Sequence, residues 1–232
     1  MPIQGLIDKL DTFEVVRDQI AAILATETAS QQALATAASR DPLEWTLRVY
    51  SERSNPWSEF LNAPDADSVD ATPIVNVTYD NVSFAKGEGS TVDRQRGEMT
   101  FHIDCYGYGV ARDVEDGGHV LGDKDAADVV HRTVRLVRNI LMASEYTYLA
   151  LPRGVVSRRW VQGISMFQPA LDGQSIQQIV AARLVFEVLA NEFSPQYEGV
   201  PLDLVSTQVR RGPDGLVVYC GADFDTTVPD DS

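Results

Sequence analysis

The run 178–193 constrains the fold most. Val180, Ala182, Leu184, Phe186 and Val188 recur at every second position, while Arg183 and Glu187 fall on the opposite side. A period of two marks a strand. A strand with five apolar positions in a row on one face needs a second layer to bury that face. The run 99–108 has the same character, with Met99, Phe101, Ile103 and Cys105 on one side and Thr100, His102 and Asp104 on the other. Residues 74–84 add a strand with Val75, Val77 and Tyr79 on one face, and residues 155–167 add another, interrupted by Gly163. Trp45, Leu47 and Val49 alternate with Thr46, Arg48 and Tyr50, which predicts a shorter strand ahead of these.

Two helices are available to cover such a sheet. Phe13, Val16, Ile20, Ile23 and Leu24 follow three-and-four spacing, with Asp11 or Thr12 as N-cap and Glu14 in the first turn. Alanine-rich sequence extends this helix toward Ser39, and Asp41-Pro42 stops it. The clearest helix covers 125–142, its stripe formed by Ala126, Val129, Val130, Thr133, Val137, Ile140 and Leu141. His131, Arg132, Arg135 and Arg138 lie off that stripe, and Asp123, Asp125 and Asp128 sit where the helix dipole favours anions. Ile3, Leu6, Ile7 and Leu10 suggest a short separate helix at the start.

The order is helix, three strands, helix, two strands. It predicts an α+β fold: an antiparallel sheet packed against two main helices, with a long hairpin arm and a C-terminal β-hairpin extension. The core domain spans 1–195, with a long loop at 54–73 and the arm at 85–98. The extension spans 196–232, with strands at 202–209 and 216–220 flanking Arg211-Gly212-Pro213-Asp214-Gly215, and ends in an acidic tail. Trp57, Phe60 and Leu61 inside the long loop are expected to pack back on the body.

The charge narrows the function. Lys and Arg total 19 against 34 Asp and Glu, a net of -15 in 232 residues. Phosphate neutralisation needs a basic surface, so general nucleic-acid binding is excluded, and the charge argues against attachment to anionic membranes. Without a basic-then-apolar N-terminus or a run near the ~20 apolar residues of a membrane span, synthesis in the cytoplasm is expected. The two cysteines, Cys105 and Cys220, read as small apolar residues in a reducing compartment, with a bridge between them as the alternative.

Chemistry-bearing patterns are sparse. His102, His119 and His131 show none of the spacings of a metal site and read as surface histidines. Asp113, Glu115, Asp116, Asp123 and Asp125 offer oxygen ligands, but not at the spacing of a calcium loop. A solvated loop leading into a helix start accounts for them, and a metal-dependent module is the lesser alternative. The sequence has no nucleophile elbow, and Gly87-x-Gly89 lacks the ending of a phosphate loop. No catalytic residue, metal ligand or cofactor is assigned. Positive charge is almost all arginine, since lysine occurs only at Lys9, Lys86 and Lys124. The candidate subunit or partner interface comprises Lys86, Glu88, Asp93, Arg94 and Arg96 in the arm, Arg153, Arg158 and Arg159 before and in a strand, and Arg210 and Arg211 at the hairpin tip. Arginine favours bidentate pairing across interfaces, and ordinary surface charge is the competing account.

A helix such as Phe13-Glu14-Val15-Val16-Arg17-Asp18-Gln19-Ile20 opens the chain, and a second, Ala127-Asp128-Val129-Val130-His131-Arg132-Thr133-Val134, follows the arm. The core closes on the strand Ala181-Ala182-Arg183-Leu184-Val185-Phe186-Glu187-Val188, and Phe101-His102-Ile103-Asp104-Cys105-Tyr106-Gly107 is a strand ending in a glycine-flanked aromatic. Over about residues 10–195 this arrangement resembles the tail terminator and neck proteins of long-tailed, contractile-tailed bacteriophages. The resemblance implies a structural virion protein with no active site, forming a ring, usually a hexamer, at the head-proximal end of the tail. Its implied partners are its own copies, the tail tube protein, the head–tail connector or neck protein and the tail sheath protein, with DNA only passing through the lumen. A head-completion or connector protein one ring nearer the capsid is the alternative within that class. The loop at 54–73 and the C-terminal hairpin exceed the smaller members of the family.

Overall fold

A computed structural model describes residues 9–62, 71–86, 91, 94–113, 118–169 and 179–193. The chain divides into two units, Met1–Pro195 and Gln196–Ser232. Every described residue belongs to the first. The expected helix at 3–10, apart from its last two residues, and the whole C-terminal hairpin and tail, with Arg210, Arg211 and Cys220, lie outside the described residues.

Five strands form one mixed sheet in the order β1-β2-β3-β7-β6. β1 is Arg48–Ser51, β2 Ile74–Phe84, β3 Arg94–Tyr108, β6 Val156–Phe167 and β7 Ile179–Phe193. A separate pair, β4 (Arg112–Asp113) and β5 (His119–Val120), lies in the connection after β3. All neighbours in the large sheet are antiparallel except β1 and β2, which run parallel with Arg48 opposite Ile74. The α+β class is therefore as expected, with one parallel edge pair added. A parallel neighbour requires a long return connection, and residues 52–73 provide it.

Helix α1 covers Thr12–Ala37 and α2 covers Gly122–Met142. Asp11 is the N-cap of α1, and the Glu14 carboxylate accepts from its backbone N–H at 3.0 Å. This reciprocal cap satisfies donors that the first turn leaves open. Both helices pack on one face of the sheet. Val16, Ile20 and Leu24 of α1 and Val130, Val137 and Leu141 of α2 meet Val75, Val77, Phe101, Ile103, Leu184 and Phe186, all fully buried or nearly so. Two glycines set the approach of α2. A Cβ at Gly109 would lie 2.2 Å from Ala126 N and 2.3 Å from Gly122 O, and one at Gly107 would lie 2.7 Å from a Val130 methyl.

Three expectations change. Trp45 and Thr46 do not open a strand: Pro42–Trp45 is a single 3-10 turn whose Asp41 side chain accepts from Leu43 N–H, and β1 begins at Arg48. Local cap chemistry at Asp41-Pro42 overrides the short alternating pattern. The third strand starts at Arg94, five residues earlier than expected, because Arg94–Glu98 pair with Leu189–Phe193 of β7. The arm at 85–98 thus shrinks to a connection at 85–93. Finally, α2 begins at Gly122, three residues earlier than expected, so Asp123 lies within its first turn.

The opposite face of the sheet has a smaller apolar cluster at one end. The turn Pro56–Asn62 lays Phe60 over Ile74, Tyr106, Ile179 and Ala181, with Trp57, Tyr108 and Phe167 at the margin. Glu59 anchors that turn. Its carboxylate accepts from Arg48 at 2.6 Å and from Tyr50 Oη at 2.9 Å, and it pairs with Arg53. Beside this cluster Arg183 grips Asp104 with two bonds, Nε at 2.8 Å and Nη2 at 2.9 Å.

Candidate interface

The arginines singled out in the sequence separate into groups. Arg94 and Arg96 sit at the start of β3, a central strand, opposite Phe193 and Asn191. Lys86 is exposed just past the end of β2. Glu88 and Asp93 lie outside the described residues. Arg153 is exposed in the turn entering β6 and bridges to Val156, and Arg158 is exposed within β6. Asn191, the cross-strand neighbour of Arg96, donates from its backbone to Val155 O at 2.9 Å and from its amide to Gly154 O at 2.7 Å. Arg94, Arg96, Arg153 and Arg158 therefore gather at one end of the sheet.

β6 is an edge of that sheet, paired only with β7 among the described residues. Two register shifts break its ladder, at Val156/Arg158 and at Val161/Gly163. Bulges of this kind twist an edge and limit uncontrolled strand addition. Two regular stretches remain, Arg158–Val161 and Gly163–Phe167, and in the second Ile164 and Met166 are 45% and 44% exposed. Arg158 lies over the Trp160 ring at 5.2 Å from its centroid.

Arg159 points to the helix side and acts within the molecule. Its guanidinium donates to Tyr146 O at 2.6 Å and Ala143 O at 2.5 Å, and approaches Met142 Sδ at 3.8 Å. A cation on the carbonyls just beyond a helix C-terminus complements the helix dipole. Burial holds this guanidinium below its ordinary pKa. Arg159 is thus a clamp between β6 and the end of α2. The contact also orients α2: His131, Arg135, Arg138 and Met142 recur at three-and-four spacing, so the face carrying Met142 turns toward β6. His131, Arg135 and Arg138 are exposed on it.

The acidic loop is engaged locally. Asp125 is buried and pairs with Arg112 at 2.9 Å, and Asp113 pairs with His119 at 2.9 Å. Glu115 and Asp116 lie outside the described residues. Among the described residues no three His, Cys, Asp or Glu side chains are grouped to hold a metal. Cys105 is fully buried on the helix-facing side, and burial pushes its thiol well above the ordinary value, which makes it a poor nucleophile. His102 is partly buried, with Nε2 3.8 Å from Asp80.

A cleft of about 460 Å³ opens where α1, α2 and the turn Ser144–Tyr146 meet, lined by Glu27, Trp45, Asn139, Glu145 and Tyr146 among others. Tyr146 Oη donates to Glu27 at 2.5 Å, and that bond, then burial, pushes the hydroxyl pKa up to about 12. The pair ties α1 to the turn that follows α2.

Sequence reasoning did not find Trp160, Ile164 and Met166 as surface features, because a single strand does not reveal that it is an edge. No family model matches the chain, and a search of the curated proteins finds no match.

Proposed function

We propose that this chain is a structural ring protein at the head-proximal end of a phage tail, where it ends tube growth and joins the tail to the head connector. The observation that carries the reading is the order of elements within one layered unit, with a long edge strand whose surroundings are cationic in a strongly acidic chain. Sheet edges are a liability in an isolated molecule, and neighbours in a ring cover them. The net charge of -15 suits a lumen through which DNA passes without sticking. The partners are further copies of the chain, the tail tube protein, the connector and, in a contractile tail, the sheath.

Images of the purified protein, alone and with tail tubes, test this directly. Rings capping tube ends are expected. A chain that stays monomeric and never associates with tubes overturns the reading. Loss of the gene is expected to give overlong tails. Tails of normal length that fail to join heads would move the ring to the connector position.

A further inference from the structure

The β6 edge is net basic, whereas the corner of the β1–β2 edge around Tyr79 is net acidic; Arg48 and Arg53, on the β1 side of that edge, are both paired with Glu59. On the β6 side the sequence from Tyr146 to Leu171 contains Arg153, Arg158 and Arg159 and no carboxylate at all. The exposed face of α2 turned toward this edge adds His131, Arg135 and Arg138. At the opposite edge, β1 covers only Ile74–Val77 of β2. Where β1 stops, Glu52 folds over β2 and its carboxylate accepts from Tyr79 N–H at 2.8 Å. Asp80 is exposed beside it, and Asp18 of α1 is exposed nearby, joined through Arg17, which bonds Asp18 at 2.8 Å and reaches Glu52 at 3.5 Å. Asp11, two residues before the Phe13 ring that stacks on Tyr79 at 4.2 Å, is already paired with Lys9 at 3.4 Å. The Tyr79 hydroxyl is held above its ordinary pKa first by burial and then by the charges of Asp80 and Asp11. Both edges also expose large apolar side chains, Ile164 and Met166 on one and Phe84 on the other.

We infer that the β6 edge of one copy docks on the β1–β2 edge of the next, with Arg158, Arg135 and Arg138 facing Asp18 and Asp80 of the neighbour. The occupant of each edge is a second copy of this chain, and the pairing is head-to-tail. A two-fold pairing of β6 with β6 would set Arg158, Arg135 and Arg138 against their own counterparts, and acidic edge against acidic edge repels in the same way. A heterologous contact closes into a ring when its rotation allows and grows as a filament otherwise. Closure into a ring rests on the proposed function; the pairing itself rests on the two edges. The contact is mainly one of side chains. The bulges break the β6 ladder into two short segments, and Glu52 already occupies the Tyr79 N–H on the other side. Glu52 is therefore left unchanged in the test.

The test uses two charge-reversed full-length variants, followed by sedimentation against concentration and by circular dichroism. The first carries Arg135→Glu, Arg138→Glu and Arg158→Glu, and the second carries Asp18→Arg and Asp80→Arg. All five side chains are exposed, so native spectra are expected. Each variant alone is expected to lose self-association by at least about tenfold relative to the unaltered chain. The mixture is expected to regain it, because one variant then has two acidic edges and the other two basic ones. Association of either variant at the unaltered strength, or a mixture of folded variants that does not recover, overturns the inference. Should a reversal unfold the chain, the neutral series Arg158→Gln, Arg138→Gln and Asp80→Asn replaces it, and absence of any graded weakening overturns the inference equally. An unaltered chain that is monomeric at all concentrations removes the ring reading together with this contact. Association that is insensitive to the charges removes the contact alone.

Discussion

At the scale of single residues, the polar groups of the sheet face away from the helices are the most sensitive. The Asp104 side chain is 6% exposed and depends on Arg183, which is itself 39% exposed. Burial, and then the Asp104 charge, hold the Tyr106 hydroxyl above its ordinary value. Removing Arg183 leaves a carboxylate buried without its cation. Arg183→Ala is expected to cost about 2–3 kcal/mol in urea unfolding, at the low end for broken buried pairs because water screens the arginine. The double change Asp104→Leu with Arg183→Met is expected to recover most of that loss. Glu59 gives a pH signature. Burial raises its pKa, but hydrogen bonds from Tyr50 and Arg53 and the charges of Arg48 and Arg53 outweigh it, so its folded pKa lies below the ordinary 4.5. A depressed acid contributes stability that is present above its unfolded pKa and is lost as pH falls through the folded value. The turn Pro56–Asn62 is thus expected to loosen as pH drops below about 4.5, read by Trp57 fluorescence in a chain with Trp45 and Trp160 replaced by Phe. Glu59→Gln should flatten that dependence.

At the scale of elements, glycines at close approaches and glycines at bulges behave differently. Gly109 has backbone atoms of α2 within 2.9 Å of any added Cβ, so the helix itself must move to admit one. Gly109→Ala is expected to destabilise by about 3 kcal/mol or more, whereas Gly163→Ala, which meets nothing within 4 Å, should stay within about 1 kcal/mol of the parent. Thermal unfolding of the two variants distinguishes them. The long elements were legible because their periodicity runs far enough to be unambiguous. β2 occupies the expected residues, β7 differs by a single residue, and α2 was recognised from its stripe although Val134 also proves buried. Short ones were not. Residues 45–50 alternate convincingly, yet Asp41-Pro42 starts a 3-10 turn that consumes Trp45. The pairing of Arg94–Glu98 was invisible for another reason. Those residues are polar, and only their register against β7 makes them a strand.

For the molecule as a whole, the separation of charge between sheet edges has a measurable consequence. Self-association through opposed charges weakens as the Debye length shrinks from about 10 Å at 0.1 M salt toward about 3 Å at 1 M. The dissociation constant between copies is therefore expected to rise steeply over that range in sedimentation. An association that strengthens with salt would point to the apolar side chains Ile164, Met166 and Phe84 as its main source. Periodicity and composition alone determined the layered α+β class, the main helices and strands and the acidic balance. These follow from local spacing, because a strand or helix long enough to bury one face declares that face in its sequence. Tertiary structure alone decided that β1 runs parallel, that β6 is an edge among the described strands, that Arg159 clamps α2 while Arg158 faces outward, and that Asp18, Glu52 and Asp80 share one side. Strand order and register bring together residues far apart in the chain, such as Asp104 with Arg183 and Arg17 with Glu52, and no spacing along the sequence encodes that proximity.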